Sequence, residues 1–310
     1  ERLRPVSAQR PAGGLVRECN GDLPLGNRIL EGDDVVVFDA IEFSEELRWI
    51  DTVSDVAFAS MDLRHRGRPD LANRFANAWL EASGDYAGLA VWPFYAVYRA
   101  LVRAKVGEIR LDAEEGGDGR AALAEDFDAY VALAEQLAAP RRPRLVLTCG
   151  PSGSGKTTGT QSMVEAEGAV RVRSDVERKR LHGLDALDAS DSTAGGGIYD
   201  TASTARTYER LLALAETIAT AGTTAIVDAT FLKRAQRAPF RALARRLGVS
   251  LEILVFEAAP DELRRRVAKR AAEGRDASEA TIAVLERQLE SAEPVAAEEA
   301  DRVTKAAPAQ

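Results

Sequence analysis

The chain has 310 residues, of which 45% are hydrophobic and 29% are charged, so it is long enough for about two globular domains and too apolar for wholesale disorder. Its 41 basic residues against 49 acidic residues give a formal net charge of −8, which disfavours nucleic acid and membranes as partners. A small-molecule partner is expected, and protein partners stay open.

We expect a cytoplasmic location, because the sequence shows no recognisable targeting signal and no cysteine pattern of an exported protein. The uncharged stretch from Tyr86 to Tyr98 contains Pro93 and falls well short of the roughly 18 to 20 residues that span a bilayer. No apolar run with a cleavage site follows the first residues, so we expect no secretory signal. Cys19 and Cys149 lie in unrelated segments, without the spacing of a disulfide framework or a zinc site.

The first part of the chain begins with a hairpin pattern and continues with helical patterns. Two β-prone runs, 27–30 and 35–38, flank Gly32, which predicts a hairpin turn. Apolar residues then recur at helical spacing through 47–57 and 71–79, so most of the remaining block is expected to be helical.

A second block follows the Pro-rich junction at 138–143, which divides the chain into domains 1–140 and 141–310. Short apolar runs at 144–149, 169–172, 224–227 and 251–256 alternate with helical stretches. This alternation predicts a parallel sheet with helices on both faces. The segment after Pro294 is rich in Ala and Glu and is expected to be a tail.

The strongest motif opens this block. The run from Gly150 to Thr157 fits G-x-x-x-x-G-K-[ST] at every fixed position and follows a predicted strand, which is the context of a Walker A phosphate loop. Lys156 would reach the β- and γ-phosphates, and Thr157 would bind magnesium. The alternative is a chance match. The predicted nucleotide-binding residues are Gly150, Ser152, Gly153, Ser154, Gly155, Lys156, Thr157 and Thr158.

Two carboxylates follow neighbouring strands. Asp228 ends the run 225–228 and is the Walker B candidate for magnesium, but Ala229 and Thr230 follow it where motor ATPases usually have a water-activating glutamate. Asp175 follows the second strand at the edge where open α/β sheets bind ligands. It is a candidate base for an acceptor hydroxyl, and its alternative role is a helix N-cap.

A cationic helix follows the fourth strand. Arg270 and Arg275 are the candidate lid residues that stabilise the transferring phosphoryl group, and a solvated basic face is the alternative for this whole run. Asp276 and Glu279 match a capping box that would open the next helix. His65 and His182 have no metal-ligand spacing and receive no role.

The second block, from Arg144 to about Glu290, resembles small-molecule kinases of the P-loop superfamily related to gluconate kinase, polynucleotide kinase and zeta toxin. The resemblance rests on four runs, namely 150–157, 174–181, 227–231 and 274–280. It implies that Asp175 faces the acceptor hydroxyl and that Arg270 and Arg275 bind phosphates. It does not distinguish a sugar, an antibiotic or a nucleotide-sugar as the acceptor.

The first block, from Arg17 to about Val106, looks like the C-terminal lobe of an aminoglycoside-phosphotransferase-like kinase, as found fused to such P-loop domains. The run 18–27 matches that family's H-G-D-x-x-x-x-N pattern at Asp22 and Asn27. The resemblance implies that Asp22 lies near an acceptor hydroxyl, that Asn27 and Asp39 bind magnesium, and that Asp55 is a buried support for the loop.

This block departs from the family pattern, because Asn20 replaces the usual histidine and Pro24 stands where related proteins often have another. The sixteen residues before Arg17 are too few for a glycine-rich strand pair, an ATP-binding lysine and its glutamate. We therefore expect an incomplete or degenerate C-lobe that lacks its N-lobe and does not transfer phosphate alone.

The expected function is an ATP- and magnesium-dependent transfer of the γ-phosphate to a hydroxyl of a small molecule. The alternative is a nucleotide-binding switch or slow ATPase in which the first domain is a docking or regulatory pseudokinase module.

Overall fold

The computed structural model describes residues 4–114, 116–190, 192, 196–273 and 276–306. The chain forms two compact units, one of Glu1–Ala78 with Ala87–Pro140 and the other of Trp79–Tyr86 with Arg141–Gln310. Among the described residues, no helix is both long and apolar enough to span a membrane.

The first unit is mostly helical, as expected. Its strands are β1 (Val16–Glu18), β2 (Arg28–Glu31), β3 (Asp34–Val37) and β4 (Trp49–Asp51). The helices of this part of the chain are α1 (Arg4–Ala12), α2 (Glu45–Arg48), α3 (Thr52–His65), α4 (Pro69–Ser83), α5 (Trp92–Ala113) and α6 (Asp118–Ala138). Helices α3, α5 and α6 build a core in which Phe58 and Met61 pack against Ala100 and Ala104.

The predicted hairpin is confirmed. Strands β2 and β3 are antiparallel, with Arg28 opposite Val37 and Glu31 opposite Asp34. Gly32 in the turn has φ +65°, a left-handed conformation that glycine adopts without steric cost. Strands β1 and β4 form a second antiparallel pair.

The second unit contains a five-stranded parallel sheet in the order β6-β7-β5-β8-β9. Its strands are β5 (Arg144–Cys149), β6 (Val170–Arg173), β7 (Ala225–Asp228), β8 (Ser250–Val255) and β9 (Arg302–Lys305). Its helices are α7 (Lys156–Gly159), α8 (Gln161–Glu167), α9 (Ser174–Leu181), α10 (Thr201–Thr220), α11 (Arg234–Leu247), α12 (Pro260–Glu273) and α13 (Ile282–Ser291). The predicted alternation of strands and helices is confirmed, and this unit has the P-loop NTPase fold.

The two strands at the centre of the sheet have fully buried residues, namely Leu145 to Leu147 in β5 and Ala225 to Val227 in β7. Because all five strands are parallel, their carboxyl ends share one edge, where ligands bind in open α/β sheets. The loops after β5, β6 and β7 therefore meet at one place.

The prediction of a tail after Pro294 is wrong. Residues 302–305 form β9, which pairs in parallel with β8. Just before it, the buried carboxylate of Glu299 accepts hydrogen bonds from Arg237 Nε at 2.7 Å and Nη2 at 3.0 Å. The Ala/Glu-rich composition did not indicate this strand, because the ion pair that holds the segment joins Glu299 to Arg237, 62 positions earlier in the chain.

Candidate phosphate-transfer site

The loop that follows β5 has the conformation that its glycines allow. Gly150 has φ +154°, and a Cβ there would lie 2.4 Å from the carbonyl oxygen of Phe256. Gly155, with φ +92°, is the N-cap of α7. Residues with side chains rarely adopt such φ values, so the loop conformation accounts for the glycines at these positions of the motif. A loop of this kind at the start of a helix can direct backbone N–H groups toward an anion.

Lys156 closes this loop. Its Nζ donates to the carbonyl oxygens of Gly150 at 3.0 Å and Pro151 at 2.8 Å. Burial lowers the pKa of the ammonium, and the negative charges of Asp228 and Asp175 oppose that shift. A partly desolvated cation therefore stands beside the loop, where it can interact strongly with phosphate oxygens.

Thr157 and Asp228 meet next to this loop. The Thr157 hydroxyl donates to Asp228 Oδ2 at 2.6 Å, and Asp228 is only 5% exposed at the end of β7. A second hydroxyl, that of Thr148, lies 3.4 Å from the other oxygen of this carboxylate. Hydroxyl and carboxylate oxygens are ligands that Mg²⁺ accepts, so this pair fits a magnesium ion that also binds phosphate.

Asp175 lines the same cavity as the loop and Asp228, a cavity of 690 Å³. Helix α9 begins at Ser174, and the residue before it, Arg173, is the N-cap and makes no side-chain cap bond. The structure therefore does not use Asp175 as the N-cap. Among the residues that the structure describes, none donates a hydrogen bond to the Asp175 carboxylate, so it is available to an acceptor hydroxyl.

Arg270 also lines the cavity, and its Nη2 is buried without a hydrogen-bond partner in the described part of the chain. Its positive charge contributes to the lowered pKa of Lys156, after the larger effect of burial. A guanidinium with an unpartnered nitrogen at the wall of this cavity is suited to binding an anion. Arg275 lies outside the described residues.

Three other cations of α12 pair with carboxylates, although Arg265 and Lys269 also line the cavity. Arg265 pairs with Glu262 at 2.7 Å, and Arg264 pairs with Glu286 at the same distance. Lys269 is mostly exposed and pairs with Glu273 at 3.7 Å. These charges are already neutralised by carboxylates.

The capping box predicted at Asp276 and Glu279 is wrong, because α13 begins at Ile282 and Thr281 is its cap. Arg173 Nη2 instead donates to Asp276 at 2.6 Å. The Glu279 carboxylate lies 3.1 Å from Lys179 Nζ and accepts a hydrogen bond from the backbone of Ser190 at 2.9 Å. Both acids join the segment before α13 to residues about 100 positions earlier, which local sequence patterns do not indicate.

Sequence reasoning also missed two cavity residues, Arg178 and Gln288. The Gln288 side-chain oxygen accepts the N–H of Ser152 at 2.8 Å, so α13 contacts the phosphate loop directly. Arg178 lies in the run 174–181 but was given no role of its own there, Gln288 lies outside the four runs of the resemblance, and the fold brings both to the cavity.

In the first unit, the loop that carries Asp22 is held by buried Asp55. The Asp55 carboxylate accepts the N–H of Asn20 at 2.8 Å and that of Gly21 at 3.1 Å. Burial raises the pKa of Asp55, against the effect of these amides. Asn27 Nδ2 lies 3.0 Å from the carbonyl oxygen of Asp22 and 3.3 Å from its Oδ2. Asp22 and Asn27 are therefore neighbours.

Asp39 is exposed and has φ +58°, an uncommon conformation for a residue with a side chain. No hydrogen bond between described residues joins its side chain to Asp22 or Asn27. The described residues also contain no cluster of three or more His, Cys, Asp or Glu side chains that could hold a metal.

Comparison with known proteins gives relatives over most of the chain. An uncharacterized protein of Mycobacterium tuberculosis and another of Mycobacterium bovis are each 30% identical to this chain over 282 residues, which is 90% of this chain and 55% of each relative. The chain therefore spans about half the length of the curated relatives it matches.

Three solved structures are similar to about half of the chain. A gluconokinase from Sinorhizobium meliloti 1021 has 23% identity and a TM-score of 0.34, covering 55% of this chain and 85% of its own. A shikimate kinase from Acinetobacter baumannii, in complex with shikimate, has 18% identity and a TM-score of 0.37, covering 54% and 86%. The APS kinase of Mycobacterium tuberculosis, in complex with AMPPNP and APS, has 20% identity and a TM-score of 0.35, covering 55% and 84%.

Likeness at this level carries neither a substrate nor a mechanism to this chain. Residues 145–295 also match the model of a family described as an AAA domain.

Proposed function

We propose that this protein is an ATP- and magnesium-dependent phosphotransferase that moves the γ-phosphate to a hydroxyl of a small molecule. The observation that carries the proposal is the meeting of three features in one cavity, namely the phosphate loop, the Thr157–Asp228 pair and the free carboxylate of Asp175. Such a cavity can hold a nucleotide phosphate tail and a second substrate side by side.

In the proposed reaction, the acceptor hydroxyl oxygen bonds to the γ-phosphorus as the bond to the β,γ-bridging oxygen breaks, and ADP leaves. Asp175 accepts the hydroxyl proton. The loop amides, Lys156 and Arg270 stabilise the charge on the transferring group and the leaving oxygens. Thr157 and Asp228 would hold Mg²⁺, which neutralises phosphate charge when it is bound.

A carboxylate that activates water does not follow Asp228 here. The next residue, Ala229, has its backbone N–H 3.2 Å from the Thr148 hydroxyl, and Thr230 comes after it. We assign the catalytic carboxylate instead to Asp175, in the first turn of α9, which directly follows the neighbouring strand β6. This arrangement favours an acceptor-dependent enzyme over a motor or switch that hydrolyses ATP alone.

For domains 1–140 and 141–310, we propose that the first is an aminoglycoside-phosphotransferase-like C-lobe that supports or regulates the second. The support of the Asp22 loop by Asp55, and the closeness of Asn27 to Asp22, favour this interpretation. Asp22→Asn should then leave phosphotransfer largely intact, whereas Lys156→Ala should abolish it. The reverse pattern would locate the reaction in the first domain.

The direct test is a screen of sugars, aminoglycosides, nucleosides and UDP-sugars with γ-labelled ATP and Mg²⁺. We expect label to move to at least one acceptor, and Asp175→Asn should reduce that transfer at least about a hundredfold, the lower end for a general base, while nucleotide affinity persists. Asp185→Asn, at an exposed position of the same unit, is the matched control. ATP hydrolysis that no acceptor accelerates would favour the switch and contradict the proposal.

A further inference from the structure

The first unit has a cavity of its own, with a volume of 320 Å³. Every residue that lines it belongs to this unit, and the proposed phosphotransfer does not use it. Small-molecule sites are typically cavities of about 300 to 1,000 Å³ with an apolar wall and a few polar groups that orient the ligand. The wall of this cavity is largely apolar and aromatic, and it includes Val16, Ile41, Leu47, Trp49, Tyr95 and Tyr98.

Arg99 brings a positive charge to this wall, although it is only 8% exposed. Its Nε and Nη2 donate to the Ser54 hydroxyl at 3.3 and 3.0 Å. The Asp55 carboxylate lies 3.8 Å from Nη2, beyond hydrogen-bond distance, and it already accepts the N–H groups of Asn20 and Gly21. Burial lowers the pKa of the Arg99 guanidinium, and the charge of Asp55 opposes that shift. The buried charge of Arg99 is therefore only partly compensated.

One nitrogen of Arg99 is open to a ligand. No described residue accepts a hydrogen bond from Nη1. This atom is not buried, and it belongs to the exposed 10% of the side chain. Because Arg99 lines the cavity, a ligand there can accept a charge-assisted hydrogen bond from Nη1 without displacing a protein group.

The guanidinium of Arg99 is held in place before any ligand binds. Its Cζ lies 4.9 Å from the centroid of the Phe58 ring and 5.8 Å from that of Tyr98, which is within the range of cation–π contacts. The two bonds to Ser54 also restrict its rotation. A donor that is fixed in this way loses little conformational freedom when it binds an anion.

The carboxylate at the cavity wall, Asp51, is already neutralised. It accepts hydrogen bonds from Arg10 Nε and from Arg10 Nη2 at 2.7 Å, and the N–H of Val53 at 3.0 Å. Asp51 is 5% exposed, so this ion pair is part of the interior. The open charged group of the cavity is therefore Arg99, and the cavity suits a ligand with an apolar body and an acidic group.

We infer that this cavity binds an aromatic monocarboxylate, with its carboxylate on Arg99 Nη1 and its ring against Trp49 and Tyr98. The aromatic wall favours a ring, because paired rings gain more than their buried area. A single open donor favours a single negative charge, because the second charge of a phosphate would stay unpaired among apolar side chains. The inference goes beyond the proposed function, since the site requires neither a nucleotide nor Asp175.

Ligand-observed NMR titration of the full chain tests this site without nucleotide. The probes are phenylacetate and indole-3-acetate, each compared with its neutral amide, which has the same ring and nearly the same shape. We expect saturable binding of at least one acid. Its amide should bind about tenfold more weakly, because the amide lacks the charge that strengthens the bond to Arg99. Phenyl phosphate should also bind more weakly than the acid.

Three variants separate the charge, the wall and the fold. Arg99→Gln should remove the preference for the acid over its amide. Tyr98→Ala should weaken the binding of both, because it removes part of the wall. Tyr98 is half-exposed, so this variant tests the site even if Arg99→Gln lowers the melting temperature. Leu101→Ala is the matched control, since Leu101 is equally exposed on the same helix and does not line the cavity.

The outcomes distinguish this inference from the proposed function. Binding of neither acid, equal affinity for acid and amide, or tighter binding of phenyl phosphate would overturn it. Binding that both Arg99→Gln and Tyr98→Ala leave unchanged would also overturn it. Lys156→Ala should keep the binding of the acid, and its loss in that folded variant would locate the acid in the phosphate-loop cavity instead. Binding of the acid without phosphate transfer to any acceptor would support this site and contradict the kinase.

Discussion

The bond between Thr157 and Asp228 allows the metal assignment to be tested on the ligand-free protein. The hydroxyl donates to a carboxylate oxygen at 2.6 Å, and the carboxylate is 5% exposed. Thr157→Val keeps the shape of the side chain but removes the donor. Among the described residues, the remaining hydroxyl contact to this buried charge is the longer one from Thr148, at 3.4 Å, and that hydroxyl also donates to the Ala229 carbonyl at 2.8 Å.

The expected cost follows from these contacts. A hydrogen bond to a charged group contributes about 1.5 to 3 kcal/mol, and an under-solvated carboxylate adds to the loss. Thr157→Val should therefore lower the free energy of unfolding by about 2 kcal/mol. In the background of Asp228→Asn the same change should cost much less, since no charge remains, which gives a coupling energy of about 1 to 2 kcal/mol.

Urea denaturation of the four proteins of this double-mutant cycle measures the coupling. Thr217→Val is the control, because its hydroxyl bonds a carbonyl oxygen on an exposed part of α10 at 3.0 Å, and surface changes usually stay within about 0.5 kcal/mol. The affinity for Mg-ATP should fall at least about tenfold in both single variants of the pair. A coupling energy near zero would refute the adjacency of the two side chains and remove the geometric basis of the metal site.

Three other changes have defined expectations. Gly150→Ala should weaken ATP binding at least about tenfold, because a Cβ would lie 2.4 Å from a carbonyl oxygen and strain of this kind costs about 1 to 3 kcal/mol. Glu299→Gln should destabilise the protein by about 3 kcal/mol, the lower end for a broken buried ion pair. The hydrogen bond from Arg237 lowers the pKa of Glu299, so its stabilising effect is complete above the ordinary glutamate pKa and is lost as the pH falls through the lowered value. Burial, with the charges of Asp55 and Asp51, raises the pKa of the Cys19 thiol to about 11, so alkylation by iodoacetamide should stay slow at pH 8 and accelerate toward pH 11.

For each of these three predictions, one result would contradict the expectation. Gly26→Ala, at a position where a Cβ would meet nothing within 4 Å and φ is not positive, is the control for Gly150→Ala, and equal ATP affinity in both variants would contradict the loop geometry. Stability of Glu299→Gln that declines below pH 5 as steeply as in the wild type would show that another group titrates there. Cys19 alkylation at pH 8 as fast as that of a free thiol would contradict its raised pKa.

Short sequence motifs predicted those parts of the candidate site that are formed by residues close together in the chain. The phosphate loop needs glycines at fixed positions and a lysine at its end, so the run 150–157 specified it without knowledge of the fold. Asp175 and Asp228 were found because they follow strands, and parallel strands bring their carboxyl ends to one edge. The sequence did not show which charged side chains have no hydrogen-bond partner, because burial and partners depend on the fold. Arg270 is an example, since its buried Nη2 has no partner among the described residues.

The errors arose where a local pattern competed with a distant partner. Asp276 and Glu279 match a capping box, yet Arg173 and Lys179 hold them in the folded chain. In the sequence, Glu299 resembles the other acids of a solvated tail. In the structure it is buried near the edge strand β9 and accepts a hydrogen bond from Arg237. Spacing along the chain contains no information about these pairs, because the ion pairs form only after the sheet brings the segments together.

Calorimetric titration with Mg-ATP measures whether the loop from Gly150 to Thr157 binds the phosphates of a nucleoside triphosphate, as we propose. We expect one saturable site per chain in the wild type and loss of that binding in Lys156→Ala, with an unchanged circular dichroism spectrum. No heat of binding to the folded wild type, or equal affinity in Lys156→Ala, would contradict it.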